Sequence, residues 1–149
     1  MGGGLEIACA CDLRLADETA RFGAPVGRLG FPLAFGETQG LFALVGPSVA
    51  AELLLEGRIL SASEALQRRL ITRLSSTGSL AGDVDAAIAN ICKSGRWAAR
   101  SHKHQIRRLT RDPSPVTREE RMAVYGFVAT DEYREGIRRF LDRKQSKTP

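Results

Sequence analysis

Three consecutive glycines, Gly2-Gly3-Gly4, lead directly into Leu5-Glu6-Ile7-Ala8-Cys9-Ala10-Cys11, a stretch that is apolar apart from one carboxylate. No other segment of the chain restricts its fold as tightly. Glycine lets a backbone approach a neighbour or a ligand closely. The run that follows is too uniformly apolar for a surface helix and predicts a helix buried on most sides. A helix N-terminus presents unpaired N–H groups and partial positive charge. Glycine run and helix start together make a site suited to a developing anion, with Glu6 one turn inside it.

Downstream, Asp12-Leu13-Arg14-Leu15-Ala16-Asp17 alternates with period two and predicts a short strand. Arg21-Phe22-Gly23-Ala24-Pro25 extends it and closes into a turn. Residues 26–36 are rich in glycine and proline, carry Phe31 and Phe35, and read as an ordered apolar loop able to shape a pocket. From Glu37 the pattern is helical, with Leu41, Leu44 and Val45 on one face and Gly46-Pro47 as the stop. Ser48 is the expected N-cap of a helix over 49–55 that ends at Gly57. Ser61 and Glu64 form the expected capping box of a helix over 62–69, and 70–74 is a second candidate strand. Residues 83–111 read as one long helix or two, with a break near Ser94-Gly95. Asp112-Pro113-Ser114-Pro115 is a linker. Thr117 and Glu120 cap a helix reaching about Thr130. A final amphipathic helix over 131–144 sets Tyr133, Ile137, Phe140 and Leu141 on one side.

The expected fold class is therefore α/β: a partial α/β core over 1–80, followed by a helical region over 81–149. One or two isolated strands do not make a stable sheet. The chain is accordingly expected to lack partners for its own β structure, a physical sign of truncation.

Composition narrows the function classes. Hydrophobic residues at 43% and charged residues at 26% suit a globular chain with a core. No apolar run approaches the roughly 20 residues of a membrane helix. The absence of a charged start, apolar stretch and cleavage site makes the cytoplasm the expected compartment. Cys9, Cys11 and Cys92, an odd number without framework spacing, agree with a reducing environment. The net charge of +5 arises from basic clusters at 96–111 and 134–147. Such clusters bind nucleic acid, membrane surfaces or phosphorylated small molecules. A nucleic-acid module favours aromatic side chains between its charges. Aromatics are only 6% of this chain and 96–111 contains only Trp97. The expectation is a solvated helical face, with no membrane and no nucleic-acid partner. His102 and His104, two apart on a helix, face different ways. Cys9-Ala10-Cys11 lacks the second ligand pair of a zinc site, so no metal is expected. A Gly-x-Ser-x-Gly nucleophile elbow is absent.

A longer ordered set carries a resemblance. Gly2-Gly3-Gly4-Leu5-Glu6-Ile7-Ala8 with Cys11-Asp12 is followed by Phe22-Gly23-Ala24-Pro25, Leu29-Gly30 and Thr38-Gln39. Leu44-Val45-Gly46, Ala51-Glu52 with Leu55 and Gly57, and Ala62 with Glu64-Ala65 come next. Thr130-Asp131, Glu135-Gly136 and Phe140 complete it. In this order and spacing the chain resembles the enoyl-CoA hydratase/isomerase (crotonase) superfamily, over nearly its whole length and in that family's C-terminal part. The resemblance implies a spiral of ββα units, here a remnant, followed by helices that trimerise. It implies acyl-CoA thioester substrates, with no cofactor beyond the coenzyme A of the substrate, and a homo-oligomer, a trimer or a dimer of trimers.

The resemblance also implies roles. Glu6 matches the first catalytic glutamate of the hydratases. The Gly3 N–H matches one of two amides that hold the enolate oxygen; the other belongs to a segment upstream of anything present. Gly2, Pro25, Val26, Phe31, Phe35, Glu37, Phe140 and Arg143 are candidate substrate-binding residues. Phe31 and Phe35 suit an acyl pocket or core packing equally. Phe140 and Arg143 match positions that contact the CoA nucleotide, with Arg143 in place of a more usual lysine. Val26 departs from the pattern, because hydratases place a second glutamate directly after the proline matched by Pro25. Valine neither binds nor deprotonates water, so simple hydration is in doubt, whereas a single base still suits double-bond isomerisation. Pro32 is displaced by one position, and Glu37 stands where the family often has glycine; a role at a helix start explains it. The expected function is enoyl-CoA hydratase/isomerase chemistry through enolate stabilisation, with this chain incomplete and weak or inactive alone. The alternative is a non-catalytic helical oligomerisation module or a gene remnant.

Overall fold

The computed structural model describes residues 1–145, with side chains described through Asp142. The chain divides into two compact units, Met1–Ala86 and Ala87–Pro149.

The first unit opens with helix α1 (Gly3–Ala10), strand β1 (Leu15–Asp17), strand β2 (Arg21–Phe22) and a 3-10 turn (Val26–Leu29). Helix α2 (Phe35–Leu54), strand β3 (Leu60–Ser61), helix α3 (Ala62–Gln67), strand β4 (Arg73–Ser75) and the first half of helix α4 (Leu80–Lys93) follow. β1 pairs in parallel with β4, Leu15 opposite Arg73 and Asp17 opposite Ser75. β2 pairs antiparallel with β3, Arg21 opposite Ser61 and Phe22 opposite Leu60. Neither strand pair extends further among the described residues. The second half of the expected front strand thus leaves β1 and forms its own pair with β3, an element too short to show periodicity.

The core lies in this unit. Leu41 and Leu53 of α2, Leu60 of β3 and Leu70 are fully buried, packed with Leu5, Ala16, Ala24 and Ala65. Each such leucine contributes on the order of 1.5–3 kcal/mol by leaving water. One expectation needs correction. α1 was expected to be buried on most sides, yet only Leu5 is buried and Ile7 is 71% exposed. α1 packs on α2 along a single side, where a Cβ on Gly40 would sit 3.6 Å from Cys9 Cβ. Its remaining apolar surface has no cover among the described residues.

α2 bears out the expected break at Gly46-Pro47, where its two helical segments meet at a kink, and only the expected Ser48 cap needs correction. Gly46 alone leaves helical geometry (φ 73, ψ 177), and this left-handed φ demands glycine. Pro47 then sits at the first position of the new turn, where its missing N–H costs nothing. Ser48 is therefore inside the helix and makes no cap. The capping box of α3 is present as read: Glu64 N–H donates to Ser61 Oγ at 3.3 Å, and Ser61 N–H donates to Glu64 Oε2 at 2.8 Å.

In the second unit, α5 (Arg96–Arg111), α6 (Arg118–Val124), a 3-10 turn (Tyr125–Ala129) and α7 (Asp131–Gln145) follow the end of α4. The break at Ser94-Gly95 separates α4 from α5. Thr117 and Glu120 cap α6 reciprocally, at 3.1 and 2.8 Å, although α6 tightens into the 3-10 turn before Thr130. Trp97, Phe127 and Tyr133 form the aromatic centre, with ring centroids 6.0 and 4.8 Å apart. Among the described residues, no helix is long and apolar enough to cross a membrane.

Glu132 joins α7 to α5. Its Oε2 accepts the Trp97 N–H at 3.0 Å, and its Oε1 lies 3.5 Å from Arg96 Nε. The Trp97 amide foremost, then Arg96, hold this carboxyl below its ordinary value. A carboxylate with a lower pKa folded than unfolded stabilises the fold above the ordinary carboxylate pKa. That contribution fades as the pH falls through the folded value. Glu132→Gln is expected to melt earlier than the parent at pH 7, with the gap closing below about pH 4. Fluorescence of Trp97, the single tryptophan, followed through thermal unfolding across pH checks this.

Candidate active site

Gly2 enters α1 with φ 54 and ψ −132, a backbone that an L side chain rarely adopts. Its N–H donates to Gly23 O at 2.9 Å, and its carbonyl accepts the Leu5 N–H at 2.8 Å. The Gly2 amide is therefore committed, which removes it as a donor to a substrate. The next amide is different. Gly3 is the first residue of α1, and among the described residues no acceptor takes its N–H. That free amide sits at the positive end of a helix. A Cβ placed on Gly3 would lie 4.0 Å from Glu6 Oε2, so the Glu6 carboxylate folds back over the same first turn. The half-buried Glu6 and the exposed Gly3 thus share one small surface, an N–H donor beside a carboxylate.

The surrounding chain holds this surface in place. Gly23 is fixed by close packing: a Cβ there would meet Arg58 O at 2.9 Å and Ile59 Cγ1 at 3.2 Å. Its carbonyl anchors Gly2, so the anchor cannot shift without disturbing the helix start. Gly23→Ala is expected to cost about 1–3 kcal/mol by overpacking and to speed exchange of the Gly2 amide proton; thermal melting and hydrogen exchange check both. At the other end of α1, Arg14 Nε donates to Leu70 O at 2.7 Å and Arg14 Nη1 to Cys11 O. Sequence reading missed Arg14 as a tie between α1 and the segment before β4, because one of its two carbonyl partners, Leu70 O, is far along the chain. Gly23 carried a signal, a glycine directly after a strand.

The remaining candidates separate. Pro25 and Val26 are half-buried and follow closely on the Gly23 carbonyl that anchors Gly2. Val26 brings no second carboxylate. Phe31 is 50% and Phe35 96% exposed, so of the two readings offered for them core packing is the one that falls. Glu37 Oε2 accepts the Ala34 N–H at 2.8 Å and stabilises the start of α2, the helix-start role expected of it. Phe140 is 58% exposed on α7 in the second unit. Arg143 belongs to α7, but its side chain lies outside the described residues. Burial pushes the Cys9 thiol up, with the Glu6 charge adding to the effect against Arg14, so Cys9 is a protonated packing group. No group of three or more metal-ligating side chains occurs among the described residues.

The family model described as enoyl-CoA hydratase/isomerase matches residues 1–148. The chain belongs to this family. As a member it is 31% identical over 145 residues to a probable enoyl-CoA hydratase, echA8, of Mycobacterium leprae, covering 97% of this chain and 56% of that protein. It is 32% identical over 147 residues to a crotonyl-CoA hydratase of Syntrophomonas wolfei, covering 98% and 56%. Among solved structures, an enoyl-CoA hydratase/carnithine racemase from Magnetospirillum magneticum superposes with a TM-score of 0.90 at 38% identity, covering 95% of this chain and 53% of that one. Pseudomonas aeruginosa DspI superposes at 0.87 with 31% identity, covering 96% and 55%. The fold is crotonase-like α/β. This enoyl-CoA hydratase/isomerase family chain spans about half the length of the curated relatives it matches.

Proposed function

We propose that this chain carries the acid/base half of a crotonase-type site and acts on acyl-CoA thioesters by moving a proton at the carbon next to the carbonyl. The single observation that supports this reading is the unpaired Gly3 N–H beside the Glu6 carboxylate. In this reading the thioester oxygen accepts the Gly3 N–H, and Glu6 removes the adjacent proton. The negative charge that develops on oxygen is stabilised by the amide and the helix terminus. Glu6 then returns the proton, to the same carbon or to the far end of a conjugated system. The second act is double-bond isomerisation. Hydration needs a second group to activate water, and Val26 does not supply one.

The finer expectations belong to the same proposal. Coenzyme A enters only as part of the substrate, and Gly2, Pro25, Phe31 and Phe35 are the candidates to line the acyl path. Phe140 and Arg143, considered by themselves on α7, are the candidates to contact a CoA nucleotide. The chain corresponds to the family's C-terminal portion, with residues 1–80 as the partial core and 81–149 as an oligomerisation region, and it works in the cytoplasm. Exposed area supports association into homo-oligomers. The accessible surface is 10877 Å². Two free-standing bodies of these sizes would show about 9,000 Å². Phe35, Leu55, Leu29 and Ile7 are each more than 70% exposed, the kind of apolar surface that marks an interaction site.

The test is proton exchange. The purified chain is incubated with a saturated short-chain acyl-CoA in deuterated water and the thioester is analysed by mass spectrometry. Slow deuterium uptake next to the carbonyl that disappears in Glu6→Gln is the expected result. Turnover of crotonyl-CoA to the hydroxy product is expected to be undetectable. Robust hydration, or exchange that survives Glu6→Gln, would overturn the reading.

A further inference from the structure

The turn between α2 and β3 is held by charge. Arg58 Nη1 donates to Glu52 Oε2 at 2.7 Å, and Arg58 Nη2 donates to Glu64 Oε1 at 2.6 Å. Its main chain is tied as well, with the Arg58 N–H on Glu52 O at 3.2 Å. Glu52 lies in the last turn of α2 and Glu64 in the first turn of α3. The other oxygen of Glu64 already accepts the Ser61 N–H and the Ser61 hydroxyl, both at 2.8 Å. One guanidinium therefore links the end of α2 to the start of α3 across the residues that lead into β3. The three side chains are between 25% and 39% exposed, so water and salt screen the two pairs only in part.

Helix stability alone does not account for this arrangement, because α3 has its capping box without Arg58. The turn is what needs support. β2 and β3 are two residues long each, and an isolated pair of strands is marginal by itself. Within the turn, Gly57 has a φ of 65 and Leu55 is 86% exposed. The turn matters to the site because Gly23 rests on it. A Cβ on Gly23 would meet Arg58 O at 2.9 Å, so the two backbones touch with no side chain between them. Gly23 O accepts the Gly2 N–H at 2.9 Å, and Gly2 O accepts the Leu5 N–H at 2.8 Å. Two main-chain contacts thus separate Arg58 from the start of α1 and its open Gly3 amide. Close-packed interiors pass a displacement on and do not absorb it.

We propose that Arg58 is a positioning residue for the Gly3–Glu6 site: its pairs with Glu52 and Glu64 fix the turn on which Gly23 rests, and Gly23 fixes the start of α1. Arg58 acts through Gly23 and not on the substrate. That an acyl-CoA reacts at this surface rests on the function proposed above; that Arg58 fixes the start of α1 does not.

The test is amide hydrogen exchange of the full chain by NMR, followed by deuterium uptake into a saturated short-chain acyl-CoA. Arg58→Met keeps the apolar stem and loses the charge. Its Gly2 and Leu5 amide protons are expected to exchange about tenfold faster than in the parent, the loss expected when two partly exposed ion pairs go together. The amide of Leu53, in the buried part of α2, is expected to keep its parent rate. Arg58→Lys, with one ammonium for two carboxylates, should fall between. Arg68→Met removes the longer pair of the same network, Arg68 Nη1 to Glu52 Oε1 at 3.5 Å, and is expected to leave the Gly2 and Leu5 amides unchanged. In the acyl-CoA assay, turnover of Arg58→Met should fall about 10- to 100-fold with KM within about twofold, because the amide is misplaced and binding is not lost. Equal acceleration at Leu53 would make Arg58 a general prop and overturn the proposal. Unchanged Gly2 and Leu5 amides in Arg58→Met, or the same acceleration in Arg68→Met, would overturn it too. A parent chain that places no deuterium in the thioester would sink the proposed function, and the amide protons would then decide on Arg58 by themselves.

Discussion

Replacing Gly3 by proline is expected to lower acyl-CoA proton exchange by about 100- to 1000-fold while leaving α1 folded. The magnitude is that of removing one preorganised amide from a developing oxyanion, about 2.7–4 kcal/mol of barrier. The substitution is clean because Gly3 is the first residue of α1. Proline is tolerated there, and its fixed φ suits a helix start. No described acceptor uses the Gly3 N–H, so its removal breaks no bond of the resting fold. Gly2, which precedes it, has no Cβ to meet the proline ring, and its φ 54, ψ −132 is the mirror image of the extended geometry favoured before proline. Exchange rates by mass spectrometry, with circular dichroism as the folding control, decide the matter. Unchanged exchange in a folded Gly3→Pro chain would remove the amide from the chemistry.

Leu60→Ala is expected to cost about 2–5 kcal/mol, the largest stability loss of any single truncation considered. Leu60 is fully buried in β3, opposite Phe22 of β2, and belongs to the cluster with Leu5, Leu41, Leu53 and Leu70. It closes a strand pair that holds the segment leading to Gly23. A unit of this size has few such residues to spare. A loss near 3 kcal/mol corresponds to a fall in Tm of about 12–24 °C for a small domain. Leu60→Val should recover most of it, and a melt of the three proteins side by side checks the order. An alanine variant within about 2 °C of the parent would mean that this cluster does not carry the unit's stability.

The division between what was legible and what was not follows the range of the interactions involved. Local signals read correctly. Ser61 with Glu64 and Thr117 with Glu120 cap the helices they were expected to cap, and Gly95 marks the break between α4 and α5. In each the information spans only a few residues. Burial was less legible. The apolar run after Gly4 pointed to a buried helix, but burial depends on what lies opposite, and among the described residues α1 packs chiefly on α2. Phe31 and Phe35 are exposed for the same reason.

By itself the sequence determined the family, the helix boundaries set by caps and glycines, and the candidacy of Glu6 and Gly3, because these rest on residue identity and short spacing. Only the tertiary structure decided that the Gly2 amide is spent on Gly23 while the Gly3 amide stays open. It alone separated the front strand into two pairs. The physical reason is that hydrogen-bond partners and solvent exposure are properties of distant segments brought together. A residue's own neighbours in the chain do not specify them.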